Sequence, residues 1–246
     1  MAHRWLTHRA RQTRRIHFMF ENEQTVKEST AALGEMAVYV PLPITNNCIM
    51  DRDTARKQLD IPPQQAVFLM FGGHRQSARD YATVFEAALR IVPRPLLMFV
   101  GTIVDLDPLA LSKHYGYENV RVVPYVPAYQ AGPFFASADA VILAYRPMTS
   151  DVGGSTVLWD ACKYRRPVLA TKTPFFLDFL NRYPIGYSYK PGNPGSLAAH
   201  MQLFSDKGDS IQAQFRDAID RVHIDFGWER VKQQYMALLD IKEGDG

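Results

Sequence analysis

From residue 66 onward the chain repeats one unit: a short run of consecutive apolar residues, a polar turn, then a segment with helical spacing. The first run is AVFLMF at 66–71, and similar runs stand at 96–101, 120–125, 139–144, 168–171 and 185–189. A strand with no polar alternation is covered on both faces, which is the situation of a parallel sheet wrapped by helices. Between the runs, 80–92 carries Tyr81, Val84, Phe85, Ala88 and Leu89 in a rough three–four repeat. Helices are also expected over 105–113, 129–136, 156–163, 174–181, 196–205 and 210–223. The alternation predicts an α/β fold, a doubly wound parallel sheet. Such sheets bind ligands at the carboxyl ends of their strands, where strand order reverses.

The flanks differ. Residues 3–15 read as a strongly basic helix carrying Arg4, Arg9, Arg11, Arg14 and Arg15, either a solvated helix face or a surface for an anionic membrane or acidic partner. A short buried strand over 16–20, a helix over 21–33 closed by Gly34, and a strand over 36–40 follow. Residues 1–43 are too few to bury a core of their own. Residues 44–64 form a connection containing a capped helix at 51–59, and Pro62–Pro63 mark its end. The expected division is therefore 1–43, a linker at 44–64, a Rossmann-like domain at 65–224, and a closing helix and tail at 225–246. In that last helix Phe226, Trp228, Val231, Tyr235 and Leu238 are the candidate buried residues.

Composition narrows the chemistry. The net charge of +3 over 246 residues gives no argument for nucleic acid. The two cysteines, Cys48 and Cys162, lack metal-site or disulfide spacing, which fits a reducing compartment. No metal site is expected. No run approaches the ~18–20 apolar residues of a membrane span, so a cytoplasmic protein, with a peripheral place at the membrane surface as the alternative, is expected. GxGxxG after the first strand, GxxxxGK[ST] and GxSxG are all absent, which removes the nicotinamide, P-loop and serine-hydrolase readings.

Two loops at strand carboxyl ends remain. In FGGHRQSAR (71–79), Gly72 and Gly73 permit close backbone approach, and Arg75 and Arg79 offer charged hydrogen bonds to phosphate oxygens. In 145–155, Gly153 and Gly154 precede Ser155, an N-cap for the helix 156–163; a helix start presents free N–H groups and a positive dipole end to an anion. Taken alone, that spacing equally describes a plain strand–loop–helix connection, and the arginines equally describe a solvated turn.

Read in order, these segments resemble the carboxyl-terminal, donor-binding half of a GT-B glycosyltransferase of the retaining group called family 4, the glycosyl transferases group 1. Gly72, Arg75 and Arg79 resemble the family's G-x-x-R-x-x-K pattern, with one extra residue and Arg79 where Lys is usual. NVRVVPYVP (119–127), FFASADAVILAYRP (134–147), GGSTVLWDACKYRRPVLAT (153–171) and FGWERVKQQYMALL (226–239) resemble successive family segments. The family often carries two Glu residues near the second loop. Asp160 stands at the second position, which reaches the donor ribose, and Asp151 or Val152 stands at the first, near the sugar. An ordinary surface acid is the other reading of Asp160.

The resemblance implies transfer of a sugar from a UDP- or GDP-sugar to an unknown acceptor (glycan, lipid or protein), with no further cofactor. Gly72, Gly73, Arg75, Arg79, Gly153, Gly154 and Ser155 would hold the diphosphate, and Asp151 and Asp160 the ribose and sugar. It also implies a first, acceptor-binding domain of about 150 residues, of which 1–43 would be a truncated remnant, and no catalytic residue of that domain carries over. The alternative is a non-catalytic donor-binding domain, or one half of a two-chain transferase whose partner chain supplies the acceptor domain. A related epimerase would need acid–base groups that these residues do not supply.

Overall fold

The computed structural model describes residues 17–21, 23–45, 50–147 and 155–239. The basic segment 3–15, Cys48, and the loop residues Asp151, Val152, Gly153 and Gly154 lie outside the described residues.

Eight strands and eleven α-helices are described. A two-stranded parallel sheet is formed by β1 (Phe18–Phe20) and β2 (Ala37–Tyr39), joined by α1 (Glu23–Leu33). The second sheet is six-stranded and wholly parallel, with β3 (Val67–Phe71), β4 (Leu96–Val100), β5 (Val120–Val123), β6 (Ala140–Leu143), β7 (Val168–Thr171) and β8 (Gly186–Tyr189) in the order β5-β4-β3-β6-β7-β8. The chain builds outward from β3 in one direction, then returns and builds outward in the other. The switch point therefore falls between β3 and β6. The flanking helices are α2 (Arg52–Gln58), α3 (Tyr81–Ala88), α4 (Pro108–Tyr115), α5 (Gly132–Ser137), α6 (Thr156–Lys163), α7 (Pro174–Arg182), α8 (Pro194–Lys207), α9 (Asp209–Gln214), α10 (Arg216–Asp225) and α11 (Trp228–Leu239). None of the described helices is long and apolar enough to cross a membrane.

The core sits where continuous apolar runs require it. Val67, Phe68, Leu69, Leu97, Met98, Phe99, Val141 and Leu143 are fully buried. Helices start where the sequence places polar caps: Asp51 accepts from the Thr54 amide at 2.8 Å, Ser155 from the Leu158 amide at 3.2 Å and Thr173 from the Phe176 amide at 3.4 Å. Such caps satisfy amides that the helix leaves unpaired, typically for about 1 kcal/mol each.

The stretch 51–64, expected as connection, carries α2, which is fastened to the large sheet. Arg56 is 1% exposed; it donates to Asp139 Oδ2 at 2.9 Å and to the carbonyls of Ser137, Pro63 and Gln65 at 3.0, 2.8 and 2.7 Å. Asp139 also accepts from the Val67 amide at 2.7 Å, which ties the starts of β3 and β6 together.

Four expectations need correcting. The 16–20 strand is not buried: Phe18 and Phe20 pack on Leu33 and Met36, but Met19 is half exposed because so small a sheet has little to cover its outer face. The helix expected to run to residue 92 ends at Ala88, after which the chain turns to bury Ile91. The helix expected over 210–223 is two helices, broken where buried Phe215 packs on Phe204 and Tyr187. Trp228 is half exposed, since α11 starts only at that residue and Phe226 and Val231 take the inward positions instead.

Candidate functional site

The carboxyl ends of β3, β4 and β6 carry three loops that hydrogen-bond to one another. From β3 the chain passes through Gly72, whose amide continues the ladder to the Val100 carbonyl at 2.9 Å. Gly101, the residue after β4, lies against it. A Cβ on Gly101 would stand 2.1 Å from the Gly72 oxygen, and its φ of +131° is unsuited to other residues. His74 then pairs with 102–104 through its amide to Thr102 (2.8 Å) and its carbonyl from Val104 (3.1 Å). On the other side Asp80 donates its amide to Ala144 (2.8 Å) and Arg146 donates to Ala78 (3.0 Å), around an antiparallel bridge between Arg79 and Tyr145. The 71–80 loop is thus stitched to both neighbours at the switch point.

This stitching places Arg79. The residue is 7% exposed, and its guanidinium carbon lies 3.8 Å from the centre of the Tyr145 ring. The ring's negative face holds the cation without neutralising it. Tyr145 in turn reaches across the switch point: its hydroxyl is 2.9 Å from Ser155 Oγ, the cap of α6. Arg79, Tyr145 and Ser155 therefore form one chain of contacts from the first loop to the start of α6. Ser155 is 3% exposed, so its hydroxyl is fixed by these contacts and by the Leu158 amide.

Beneath Arg79 lies an aromatic floor. His74 is 1% exposed, with Nδ1 2.6 Å from the Tyr81 hydroxyl and its ring 5.7 Å from that of Phe99. Burial, and then the nearby charge of Arg79, push the His74 imidazole down to about 4, so it is neutral at physiological pH.

The other expected site residues are distributed as follows. Gly72 has φ +97°, and a Cβ there would meet Val157 of α6 at 3.3 Å, so its bareness lets α6 approach the first loop. Gly73 is exposed and faces open space. Arg75 is exposed; its carbonyl accepts the Arg79 amide at 3.0 Å. Asp160 lies one turn into α6 on the side shared with Thr156 and Lys163, half-buried; burial raises its pKa and Lys163 works against that. The structure brings Gly72, Arg79 and Ser155 together. Asp151, Gly153 and Gly154 lie outside the described residues. Tyr145 and Gly101 are the residues that sequence reading missed. Tyr145 opened the loop at 145–155, and Gly101 closed the run at 96–101, but neither type advertises a role. Among the described residues no three His, Cys, Asp or Glu side chains converge to hold a metal ion.

A parallel sheet with paired loops and a capped helix start at its switch point defines a doubly wound, ligand-binding α/β domain. The chain belongs to the family Glycosyl transferases group 1, whose model matches residues 51–221. None of the curated proteins compared matches the sequence. Among solved structures the chain is similar to WaaG, described as a glycosyltransferase involved in lipopolysaccharide biosynthesis, at 16% identity and a TM-score of 0.71, with 92% of this chain and 62% of WaaG covered. It is also similar to Anabaena HepE in complex with UDP and glucose, at 15% identity and a TM-score of 0.75, covering 91% of this chain and 63% of HepE. The carboxyl-terminal domain of LpcC, a glycosyl transferase group 1 protein from Francisella tularensis, is 96% covered by 75% of this chain, at 16% identity and a TM-score of 0.57. At such identities the likeness is one of fold. The chain spans less than two thirds of WaaG and of HepE.

Proposed function

We propose that this chain is the donor-binding part of a glycosyltransferase that transfers a sugar from a nucleotide-diphosphate sugar, UDP- or GDP-linked, to a glycan, lipid or protein acceptor. The observation that carries the reading is Arg79: a buried cation laid on Tyr145 at the switch point, with no carboxylate partner among the described residues, beside the capped start of α6. As the glycosidic bond breaks, negative charge grows on the leaving diphosphate. Arg79, Arg75 and the α6 amides are groups suited to stabilise it without metal coordination. Gly72 and Gly73, with Gly153 and Gly154, would let backbone approach the phosphates. Asp160 would accept from the ribose hydroxyls, and Asp151 would face the sugar.

Calorimetry with UDP and GDP tests the site, and donor hydrolysis tests turnover. Arg79→Ala should weaken nucleotide-diphosphate binding by about 1.5–3 kcal/mol, the usual worth of a charged hydrogen bond. An unchanged affinity would remove Arg79 from the site. A second reading is donor binding without turnover. Nucleotide binding without hydrolysis, restored by a chain carrying an acceptor domain, would select it.

A further inference from the structure

The opposite end of the large sheet holds a second cluster of cations. It lies at the amino ends of β3, β6 and β7, with the whole length of the strands between it and the switch point. Here α2, the turn before β7 and helices α9 and α10 border an open cavity of about 420 Å³. Arg52, Arg165, Arg166 and Arg216 line it, Arg165 being paired with Asp220, and Arg56 lies behind Arg52.

The charges are sorted by depth. Arg56 and Arg166 are 1% and 8% exposed, and the Arg52 side chain is 19% exposed. The buried carboxylate facing them is Asp139, which takes Arg52 on Oδ1 and Arg56 on Oδ2, both at 2.9 Å. Asp209, which touches Arg52 Nε at 3.5 Å, is a rim residue with 77% of its side chain in solvent. Solvent screens rim charges far more than buried ones. Three guanidiniums at the floor thus share one carboxylate at comparable depth.

Arg166 is left with donor capacity. Its Nε donates to the Tyr164 carbonyl at 3.2 Å, and its Nη1 donates to Gln212 Oε1 at 3.0 Å and to the Ala138 carbonyl at 3.5 Å. Its Nη2 has no hydrogen-bond partner among the described residues. Burial lowers the Arg166 guanidinium to about 10, with Arg52 and Arg56 adding to the effect and Asp139 opposing it. It remains a cation at neutral pH, held in a place that an added anion would relieve. Arg216, exposed at the start of α10, forms no ion pair among the described residues and stands at the mouth.

We propose that this cavity binds the phosphate group of a small phosphorylated molecule, as a site separate from the switch-point cleft. A planar guanidinium with a free N–H matches a phosphate oxygen. A volume of about 420 Å³ lies within the range of small-molecule sites, so it accommodates more than the bare ion. The rim decides between small and extended anions. Asp51, Asp53 and Asp209 stand at the rim beside Arg216 and the Asp220-paired Arg165, so a nucleic acid or a flat anionic bilayer meets carboxylates as well as cations there, whereas one phosphate can pass Arg216 and reach Arg166.

The test is an amide NMR titration of the full chain with inorganic phosphate as the probe, alongside sedimentation with phosphatidylglycerol vesicles. Saturable shifts grouped on the amides of 165–166, 209–216 and 52 are expected, with no sedimentation. Arg166→Gln should weaken the response about tenfold, the worth of one charged hydrogen bond. Because Arg166 is buried and its loss can cost folding, Arg216→Ala at the exposed mouth is the second variant, expected to weaken binding about threefold, a fraction of such a bond. Shifts confined to 72–79 and 155–157, no saturable shift at all, affinity unchanged in both variants, or vesicle binding without a phosphate response would each overturn the proposal.

Discussion

At the carboxyl ends of the large sheet Arg79 lies on the face of Tyr145, and no salt bridge reaches it among the described residues; at the amino ends Arg56 is locked onto Asp139 and four carbonyls. Both arginines are buried, yet their partners differ in kind. An aromatic face offsets part of the cost of burying a cation and leaves its N–H donors free for a ligand. A carboxylate and a ring of carbonyls use those donors up, and the charge then serves the fold. On the proposed reading of Arg79, what separates a binding arginine from a structural one is the partner's chemistry, not exposure. Arg166 lies between the two cases, mostly used but with Nη2 spare.

The largest effect expected from this contrast is at the structural end. Arg56→Met leaves Asp139 buried at 2% side-chain exposure, stripped of its fully buried cation and held only on Oδ1 by the more exposed Arg52. Breaking one side of a buried pair costs about 3–5 kcal/mol. Urea unfolding should show that loss, while nucleotide affinity of the folded fraction should stay unchanged. If stability falls by less than about 1 kcal/mol, the range of exposed ion pairs, Arg56 is not the structural charge described here.

A loss of about 3 kcal/mol is expected at the carboxyl end of the sheet when the pH falls, from His74. The imidazole titrates at 6.5 when unfolded and at about 4 in place, so the fold prefers it neutral. Its contribution to stability is complete above pH 6.5 and disappears as the pH falls from 6.5 to 4. His74→Phe should flatten acid unfolding over that interval. A variant as acid-sensitive as the parent would show that the floor beneath Arg79 does not titrate.

How much of this was legible in the sequence follows from range. Strands β3, β4, β6 and β7 are evident because continuous apolar runs such as AVFLMF have one economical use, burial on both faces. The caps Asp51 and Ser155 are equally local signals. Gly72 and Arg79 are visible as residue types in a loop, but whether Arg79 meets solvent, carboxylate or ring depends on Tyr145, brought beside it by the β3–β6 pairing. Asp139 and Arg56 stand 83 positions apart, and nothing near either residue names the other. Trp228 misled for the same reason, since helical spacing identifies a face but not the residue at which the helix starts.

The close packing of loops that gives Arg79 its place can be broken without touching charge. Gly101→Ala sets a methyl group against the Gly72 carbonyl at a φ of +131°. A cost of about 1–3 kcal/mol is expected from backbone strain of this kind. Because the strain falls on the first loop, nucleotide affinity should drop along with stability, unlike Arg56→Met. Equal affinity in the variant would mean that the loop absorbs the change without moving Arg79.

The smallest expected effect separates the two things Tyr145 does. Tyr145→Phe keeps the ring under Arg79 and removes only the hydroxyl that meets Ser155 Oγ at 2.9 Å. Loss of that hydrogen bond should cost about 0.5–1.5 kcal/mol of stability. Ser155 retains the Leu158 amide, so α6 keeps its cap. If the ring alone holds the guanidinium, nucleotide-diphosphate affinity stays within about threefold of the parent, well short of the Arg79→Ala loss, since less than a full hydrogen bond is at stake. Tyr145→Leu, which removes the ring as well, should then weaken binding further. A Phe variant as weak as Arg79→Ala would instead assign the placement of Arg79 to the hydroxyl link with α6, and the contrast between ring-held and carboxylate-held arginines would fail.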